Sequence, residues 1–346
     1  MHAPSFWYLP EGQKTKCPYT KTMLAVLKPA AFLNNYIGQW RRDRTKPAQA
    51  GCPVICVGNL TAGGTGKTPV ALDLGERLQA MGKKPFFLLR GYGGSESGPL
   101  IVDVDRHHAA QVGDEALLLA AQAPTVISRN RPKGAALARA QGADVIVMDD
   151  GFQNPSLKQD IAFVVVDAET GFGNGRLIPA GPLRENVAPA LARADAIILM
   201  GPQGDATIAP QLMTYLLESS RPILQARLNA DAPPLETQRR AIVFAGIGRP
   251  TKVLATAQAQ GYEIADALAY ADHHPYTDKD WKELTRMAEE HKAILLTTEK
   301  DAVRLTPEQR AHVEIIAVHV DFESDDEINA LLHKALSRNN SLAVTG

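Results

Sequence analysis

The run Val54–Thr68, VICVGNLTAGGTGKT, constrains the fold of this chain more than any other stretch. Val54 to Val57 are small or apolar, the pattern of a buried strand. A glycine-rich loop follows and closes on Gly66-Lys67-Thr68, and Pro69-Val70-Ala71-Leu72 opens a helical pattern that runs to about Met81. Strand, glycine-rich loop, helix is the context a phosphate-binding loop requires. Its glycines let successive backbone N–H groups turn toward one anion, and the helix N-terminus adds positive potential. In such a loop Lys67 reaches the β- and γ-phosphates and the Thr68 hydroxyl ligates Mg²⁺. The nucleotide-binding candidates are Thr61, Ala62, Gly63, Gly64, Thr65, Gly66, Lys67 and Thr68, with ATP and Mg²⁺ the implied ligands. The usual spacing puts a glycine where this chain has Thr61, so Gly63 and Gly64 supply the flexibility instead.

Apolar runs alternate with helical patterns through most of the chain. Strands are expected at Val54–Val57, Phe86–Leu89, Thr125–Ile127, Val145–Met148, Ala162–Val166 and Ala196–Met200, with helices at Val70–Met81, Asp114–Ala123 and Lys133–Gln141 between them. That is βαβ organisation around a mainly parallel sheet covered on both faces. A polar, proline-rich passage, Asn229–Arg240, breaks the pattern, and a smaller α/β unit follows. It reads as strand Ala241–Ala245, helix Lys252–Gln260, strand Tyr262–Ala267, helix Asp278–Lys292 and strand Ala293–Thr297. Ile223–Leu228 and Glu314–Val320 bracket this unit, and their pairing would make a two-stranded hinge. The expected division is therefore 1–46 as an N-terminal segment of the first domain, 47–222 as the phosphate-loop domain, 223–330 as the smaller domain and 331–346 as a tail.

The balance of charge limits the partners. At a net charge of −1 there is no global signature of nucleic-acid binding, and nothing points to an obligate protein partner. Three cysteines, Cys17, Cys52 and Cys56, have no zinc spacing and suggest no disulfide framework. The N-terminal region stands apart. Between Lys14 and Lys46 there are eight Lys or Arg and one acid, Asp43, around the apolar runs Met23–Leu27 and Ala30–Leu33. Lys28, Pro29, Asn34 and Asn35 interrupt it, so it should not span a bilayer. It suits either a helix lying on an anionic membrane surface or a helix packed on the domain with a solvated basic end.

Four clusters carry candidate chemistry. Val145–Met148 ends in Asp149 and Asp150, where a P-loop fold keeps an acid for Mg²⁺; on an extended chain neighbouring side chains point opposite ways, so one Asp would face the metal and the other meet substrate or a neighbouring loop. Asp114, after Val112-Gly113, is a good helix cap and equally a base for a substrate hydroxyl. In Gly181-Pro182-Leu183-Arg184-Glu185, Arg184 can offset charge on a transferred phosphoryl group and Glu185 can hold a metal or the Arg. Asp272-His273-His274 reads as a surface turn, a metal site or a pH-sensitive histidine. Gly246-Ile247-Gly248 after a strand is a weak dinucleotide signal, and a plain turn accounts for it.

Together these motifs resemble the tetraacyldisaccharide 4′-kinases of lipid A synthesis. The resemblance runs nearly end to end, through Val57-Gly58-Asn59-Leu60, Gly63–Pro69, Arg90-Gly91-Tyr92-Gly93, Val112–Glu115, Asp149–Gln153, Gly181–Glu185, Asp272–His274 and Thr297–Asp301. It implies a P-loop NTPase α/β/α sandwich joined to a smaller α/β domain by a two-stranded hinge. It implies transfer of the ATP γ-phosphate to the 4′-hydroxyl of a tetraacylated glucosamine disaccharide 1-phosphate, at the cytoplasmic face of the bacterial inner membrane as a peripheral protein. Asp114 matches the family's catalytic Asp and His273 the histidine that assists it, while Asp149, Asp150 and Glu185 match acids near Mg²⁺ and substrate. Lys67 and Arg184 complete the expected catalytic set. An anionic lipid substrate would give the basic N-terminus a reason. A nucleotide switch is the rival class, but a GTPase needs [NT]-K-x-D and Thr298-Glu299-Lys300-Asp301 has the letters in another order. A kinase of another small molecule is the second alternative. No role for Thr298–Asp301 follows from sequence.

Overall fold

A computed structural model describes Trp7 and residues 19–201, 210–232, 235–246 and 250–340. Part of the basic N-terminal segment and Ile247-Gly248 of the weak glycine motif lie outside the described residues. In chain order the first half contains α1 (Tyr19–Arg44), β1 (Val54–Gly58), α2 (Lys67–Ala80), β2 (Pro85–Leu89), β3 (Leu100–Ile101), α3 (Ala109–Val112), α4 (Asp114–Ala120), β4 (Thr125–Ile127), α5 (Arg131–Ala140), β5 (Val145–Asp149) and β6 (Ile161–Asp167). Then come α6 (Val187–Leu191), β7 (Ala196–Met200), α7 (Pro210–Ser219), β8 (Ile223–Ala230), β9 (Arg239–Ala245), α8 (Pro250–Ala259), β10 (Tyr262–Ala269), α9 (Asp278–His291), β11 (Ile294–Thr298), α10 (Glu299–Ala302), α11 (Pro307–Arg310), β12 (Val313–Ile316), β13 (Val318–Phe322) and α12 (Asp325–Asn340).

Two sheets result. The larger runs β13-β8-β7-β6-β1-β5-β2-β4-β3 and is parallel from β8 through β4, with the edge strands β13 and β3 antiparallel. Its central strands β1, β2, β5, β6 and β7 read as nearly unbroken apolar runs because both faces are covered. Successive residues of β1 feed opposite cores: Ile55 and Val57 pack with Val70, Leu74 and Leu78 of α2, and Val54 and Cys56 pack with Ala135 and Ala138 of α5. The smaller sheet, β10-β9-β11-β12, is parallel throughout, with α8 on one face through Val253 and Ala257 and α9 on the other through Leu284 and Met287. The expected α/β architecture is therefore present. The chain leaves the large sheet through β8 and returns through β13, and these two pair antiparallel, Val320 opposite Leu228.

Two sequence expectations are corrected. The single run Glu314–Val320 is two strands, β12 in the small sheet and β13 in the large one, so it switches sheets rather than pairing as one unit. The stretch 331–340, expected within a C-terminal tail, belongs to α12. Ile328, Leu332 and Ala335, spaced one helical turn apart, are fully buried against the large sheet beside α2.

α1 is continuous across Pro29, and no described helix is long and apolar enough to cross a membrane. Ala31 and Asn35 are buried, while Val26, Phe32, Leu33, Tyr36, Ile37 and Trp40 are exposed. At 3.6 residues per turn these six fall on one stripe about 140° wide.

Candidate active site

The phosphate loop has the expected frame. Gly66 caps α2 with φ 88°, a left-handed conformation that glycine adopts without penalty. At Gly58, at the end of β1, a Cβ would lie 2.4 Å from the Cβ of Phe152, so only glycine lets the Asp149–Gln153 turn lie against the loop. Asn59, fully buried, donates from Nδ2 to Thr65 Oγ1 at 3.2 Å and ties the two ends of the loop together. Thr61 bridges to Leu183 and Ala62 N donates to Pro182 O at 2.8 Å, so the Gly181–Glu185 segment flanks the loop.

Behind the loop stand Asp149 and Asp150. Thr68 Oγ1 donates to Asp149 Oδ2 at 3.1 Å. Lys67 Nζ lies 3.7 Å and Arg184 Nη1 2.7 Å from Asp150 Oδ1. Asp149 meets Thr68 while Asp150 meets Arg184 of the neighbouring loop, as expected, but the extended geometry behind that expectation does not continue, because the strand ends at Asp149 and Asp150 takes φ 51°. That left-handed turn, costly for a residue with a Cβ, brings both carboxylates to the loop. Burial works against charge on Asp150, but Lys67 and Arg184 more than offset it and pull it down to about 2. Asp149 moves the other way: burial first, then the Glu115 and Asp150 charges, push it well above the usual carboxylate range.

A divalent cation fits this chemistry. The hydroxyl and carboxylate oxygens are hard donors, and Asp149 Oδ1 is buried with no hydrogen bond among the described residues. No group of three or more His, Cys, Asp or Glu among the described residues forms a metal cage.

Glu185 departs from the expected metal role. It is 2% exposed, and its carboxylate accepts from Arg193 Nη2 at 3.0 and 2.9 Å, from Arg42 Nη2 of α1 at 3.1 Å and from Gln153 Nε2 at 3.2 Å. Two guanidinium groups neutralise it in place. Its connection to the loop is indirect: Gln153 also donates to Asn59 O at 2.9 Å and accepts from Arg184 Nη1 at 3.4 Å.

The third cluster spans the two sheets. Gly113, at φ 89°, turns the chain so that Asp114 opens α4. His273, on a left-handed turn with φ 60°, places Nδ1 at 3.0 and 2.9 Å from the two Asp114 oxygens, across 159 residues. Tyr92 packs its ring 5.6 Å from the imidazole. Arg304 Nε and Nη2 donate to Asp114 Oδ2 at 2.9 and 2.5 Å. Lys300 Nζ reaches Glu115 Oε1 at 3.2 Å and Asp272 Oδ1 at 3.7 Å. Burial disfavours charge on Asp114, but the His273 hydrogen bond and the Lys300 and Arg304 cations prevail and hold it below the usual carboxylate range. Sequence reasoning named Asp114 and His273 but missed Arg304 and the role of Lys300. Lys300 lies in the Thr297–Asp301 motif, to which sequence assigned no role, and Arg304 lies just beyond it. His274 turns away and meets Asp280 at 3.0 Å. A further bridge between the units joins Lys252 Nζ of α8 to Asp167 Oδ2 at the end of β6, at 2.5 Å.

A glycine-framed loop closing a buried parallel strand, a Lys-Thr pair at its end and an acid behind it define a P-loop nucleotide-binding protein. Comparison with known proteins narrows the class. A profile of the family described as tetraacyldisaccharide-1-P 4′-kinase matches residues 23–337. The tetraacyldisaccharide 4′-kinase of Rhodospirillum centenum is 47% identical over 340 residues, covering 97% of each chain, and that of Gluconacetobacter diazotrophicus is 50% identical over 319 residues, covering 92% and 93%. A crystal structure of the Aquifex aeolicus LpxK, in complex with ATP, superposes with a TM-score of 0.73 at 25% identity, covering 91% of this chain and 99% of that one. The chain belongs to the tetraacyldisaccharide 4′-kinase family, the kinases of lipid A biosynthesis.

Proposed function

We propose that this chain transfers the γ-phosphate of ATP to the 4′-hydroxyl of a tetraacylated glucosamine disaccharide 1-phosphate, working as a peripheral protein at the cytoplasmic face of the bacterial inner membrane. The observation that carries the reading is the Asp114–His273 contact, 2.9 Å, made between the two α/β units. A sugar hydroxyl is a poor nucleophile near neutral pH, so a nearby group must take its proton as transfer proceeds. Asp114 and His273 act on that proton as one unit. The Asp114 side chain is 3% exposed and the His273 side chain 27%, so the imidazole is the member a hydroxyl can approach, and the carboxylate supplies the fixed negative charge behind it. Formation of the pair between two units favours transfer to the sugar over transfer to water, because a complete site needs both units together.

Lys67 and Arg184 supply positive charge for the phosphates, and backbone N–H groups of Gly63–Thr68 cradle them. Mg²⁺ would be held by Thr68 and Asp149, with Asp150 beside them, and would supply Lewis-acid stabilisation of the phosphoryl oxygens. Glu185 holds α1 to the loop-flanking segment through Arg42. The exposed stripe of α1, with Arg41 and Arg44 near its end, suits contact with an anionic lipid surface where the substrate's acyl chains reside. It also favours a lipid over a small soluble acceptor.

The deciding experiment is incubation of the full chain with γ-labelled ATP, Mg²⁺ and the lipid disaccharide 1-phosphate in mixed micelles. Label on the lipid, lost when the 4′-hydroxyl is blocked, is the expected result. Label released only as inorganic phosphate, or transferred unchanged to the blocked lipid, refutes the assignment.

A further inference from the structure

We propose that Arg304 is a positioning residue of this site: reaching across from the smaller unit, its guanidinium clamps the Asp114 carboxylate and keeps it aimed at His273 Nδ1. The inference rests on the Asp114–His273 reading and assigns the segment Thr298–Arg304, for which sequence offered no role.

The geometry is that of a part held from both ends. Two nitrogens of Arg304, Nε and Nη2, converge on Asp114 Oδ2 at 2.9 and 2.5 Å. The third, Nη1, donates to Asp301 Oδ1 at 2.9 Å and to Gly246 O at 3.1 Å. The planar fork therefore has no free rotation. Asp301 is itself immobilised: Oδ1 accepts from Tyr276 Oη at 2.7 Å and from Gly246 N at 2.8 Å, and Oδ2 from Thr298 Oγ1 at 2.6 Å. Asp301 is fully buried, and the Arg304 and Asp114 side chains are 4% and 3% exposed. The chain of contacts runs Tyr276, Asp301, Arg304, Asp114, His273. Only Asp114 belongs to the large-sheet unit; the other four belong to the smaller one.

Each link has a consequence for the reacting end. Asp114 Oδ1 is shared by His273 Nδ1 and the Glu115 N–H, the latter at 2.9 Å, and Oδ2 is shared by the guanidinium and His273 Nδ1. Without Arg304 the carboxylate keeps only the Glu115 N–H and His273 contacts, Oδ2 is no longer pinned from the far side, and the His273 ring loses its register. A buried pair that served stability alone needs a charge of opposite sign, which Lys supplies. A clamp needs the two-nitrogen fork, which Lys lacks. The groups facing Asp114 are His273, Lys300 and Arg304, so removing Arg304 takes away one of the cations that hold the acid down.

The test uses Arg304→Lys and Arg304→Met in the full chain, with three readouts. In Arg304→Met, kcat for the lipid disaccharide is expected to fall about 100-fold, the cost of misplacing a reacting group by about 1 Å. KM for ATP should stay within about threefold, since the clamp touches no phosphate-loop residue. Arg304→Lys should fall between wild type and Met. The Asp114 carboxyl carbon, followed by NMR in ¹³C-aspartate-labelled protein and assigned by its absence from Asp114→Asn, should titrate at higher pH in Arg304→Met than in wild type. Arg304→Lys activity equal to wild type overturns the clamp, and it decides the matter even if Arg304→Met does not fold. An unshifted Asp114 titration in folded Arg304→Met overturns it as well. The NMR readout needs no lipid: a shifted titration in a protein that does not phosphorylate the disaccharide would sustain the clamp and refute only the substrate.

Discussion

Asp114→Asn and His273→Ala, made singly and together, test whether the two residues act as one unit. Loss of a group that handles the proton in the transition state costs about 10²–10⁴ in kcat. At 1.36 kcal/mol per decade that is about 3–5 kcal/mol of barrier. Independent residues would add, so the double variant would lose about 6–10 kcal/mol. A dyad loses its function with the first substitution, so the double variant should stay at about 3–5 kcal/mol, with the difference appearing as coupling energy. Stability separates the two singles. Asp114→Asn strips Arg304, whose side chain is 4% exposed, of its closest counter-charge, although Asp301 and Gly246 O still hold one nitrogen. Breaking one side of a buried ion pair costs about 3–5 kcal/mol, and the surviving contacts put this case at the low end, about 3. At about 2.1 cal/mol/K of unfolding entropy per residue, a 346-residue chain shifts by about 1.4 °C per kcal/mol, so Tm should drop by about 4 °C. His273→Ala leaves the Arg304–Asp114 pair intact and should cost about 1 kcal/mol. The assay is single-turnover phosphoryl transfer at saturating ATP, with nucleotide affinity and thermal unfolding measured on the same preparations. Losses that multiply across the cycle refute the dyad. A Tm for His273→Ala as low as that for Asp114→Asn refutes the assignment of Arg304 to Asp114 rather than to the loop as a whole.

Lys67→Ala should abolish transfer with an unchanged fold, because the Lys67 side chain is not fully buried, at 12% exposed, and its ion pair with Asp150 is long, at 3.7 Å; full activity with normal circular dichroism would remove the phosphate-loop role. Thr68→Ala deletes the hydroxyl 3.1 Å from Asp149 and should raise the Mg²⁺ concentration needed for half-maximal rate about tenfold or more, read from a Mg²⁺ titration. On α1, Phe32→Ser with Trp40→Ser should weaken sedimentation with anionic vesicles and raise the apparent KM for lipid, while leaving ATP affinity alone; salt should weaken wild-type binding through the Arg41 and Arg44 charges. Vesicle binding unaffected by the substitutions would make the stripe incidental.

What could be read from the sequence divides along a physical line. The strands were legible because both faces of the large sheet are covered, so β1, β5, β6 and β7 are continuous runs of apolar or small residues, up to the terminal Asp of β5 and β6, and stand out from helices by their shortness. The phosphate loop was legible because its function lies in one contiguous run of backbone. The Asp149–Asp150 pair was half legible: composition gave the acids, but alternation along a strand assumes the strand continues, and the left-handed turn at Asp150 ends it. Glu185 was misjudged because the partners that neutralise it, Arg42 and Arg193, lie 143 residues before it and 8 after it, and only the fold brings them together.

Arg304 marks where legibility stops, and the reason is distance in sequence rather than weakness of interaction. Asp114 and Arg304 are separated by 190 residues and two sheets, yet they meet at 2.5 Å with both side chains buried. Within the smaller unit, Thr298–Arg304 obeys local rules: Thr298 caps α10 by accepting from the Asp301 N–H at 3.1 Å, and Asp301 joins Arg304 one turn on. A sequence reader sees a capped helical turn with an i,i+3 ion pair, a common arrangement worth little when exposed. Burial changes its meaning. Asp301 takes hydrogen bonds from Tyr276, Thr298 and Gly246 and still leaves Arg304 two nitrogens with which to reach across the boundary. Those two nitrogens find their acceptor only when the smaller unit sits against the P-loop unit, which is also the condition for His273 to meet Asp114. The clamp and the dyad therefore form or separate together. A substitution that loosens the docking of the two units elsewhere, such as Lys252→Ala at the Asp167 bridge, should lower kcat through the same Asp114 carboxylate it never touches.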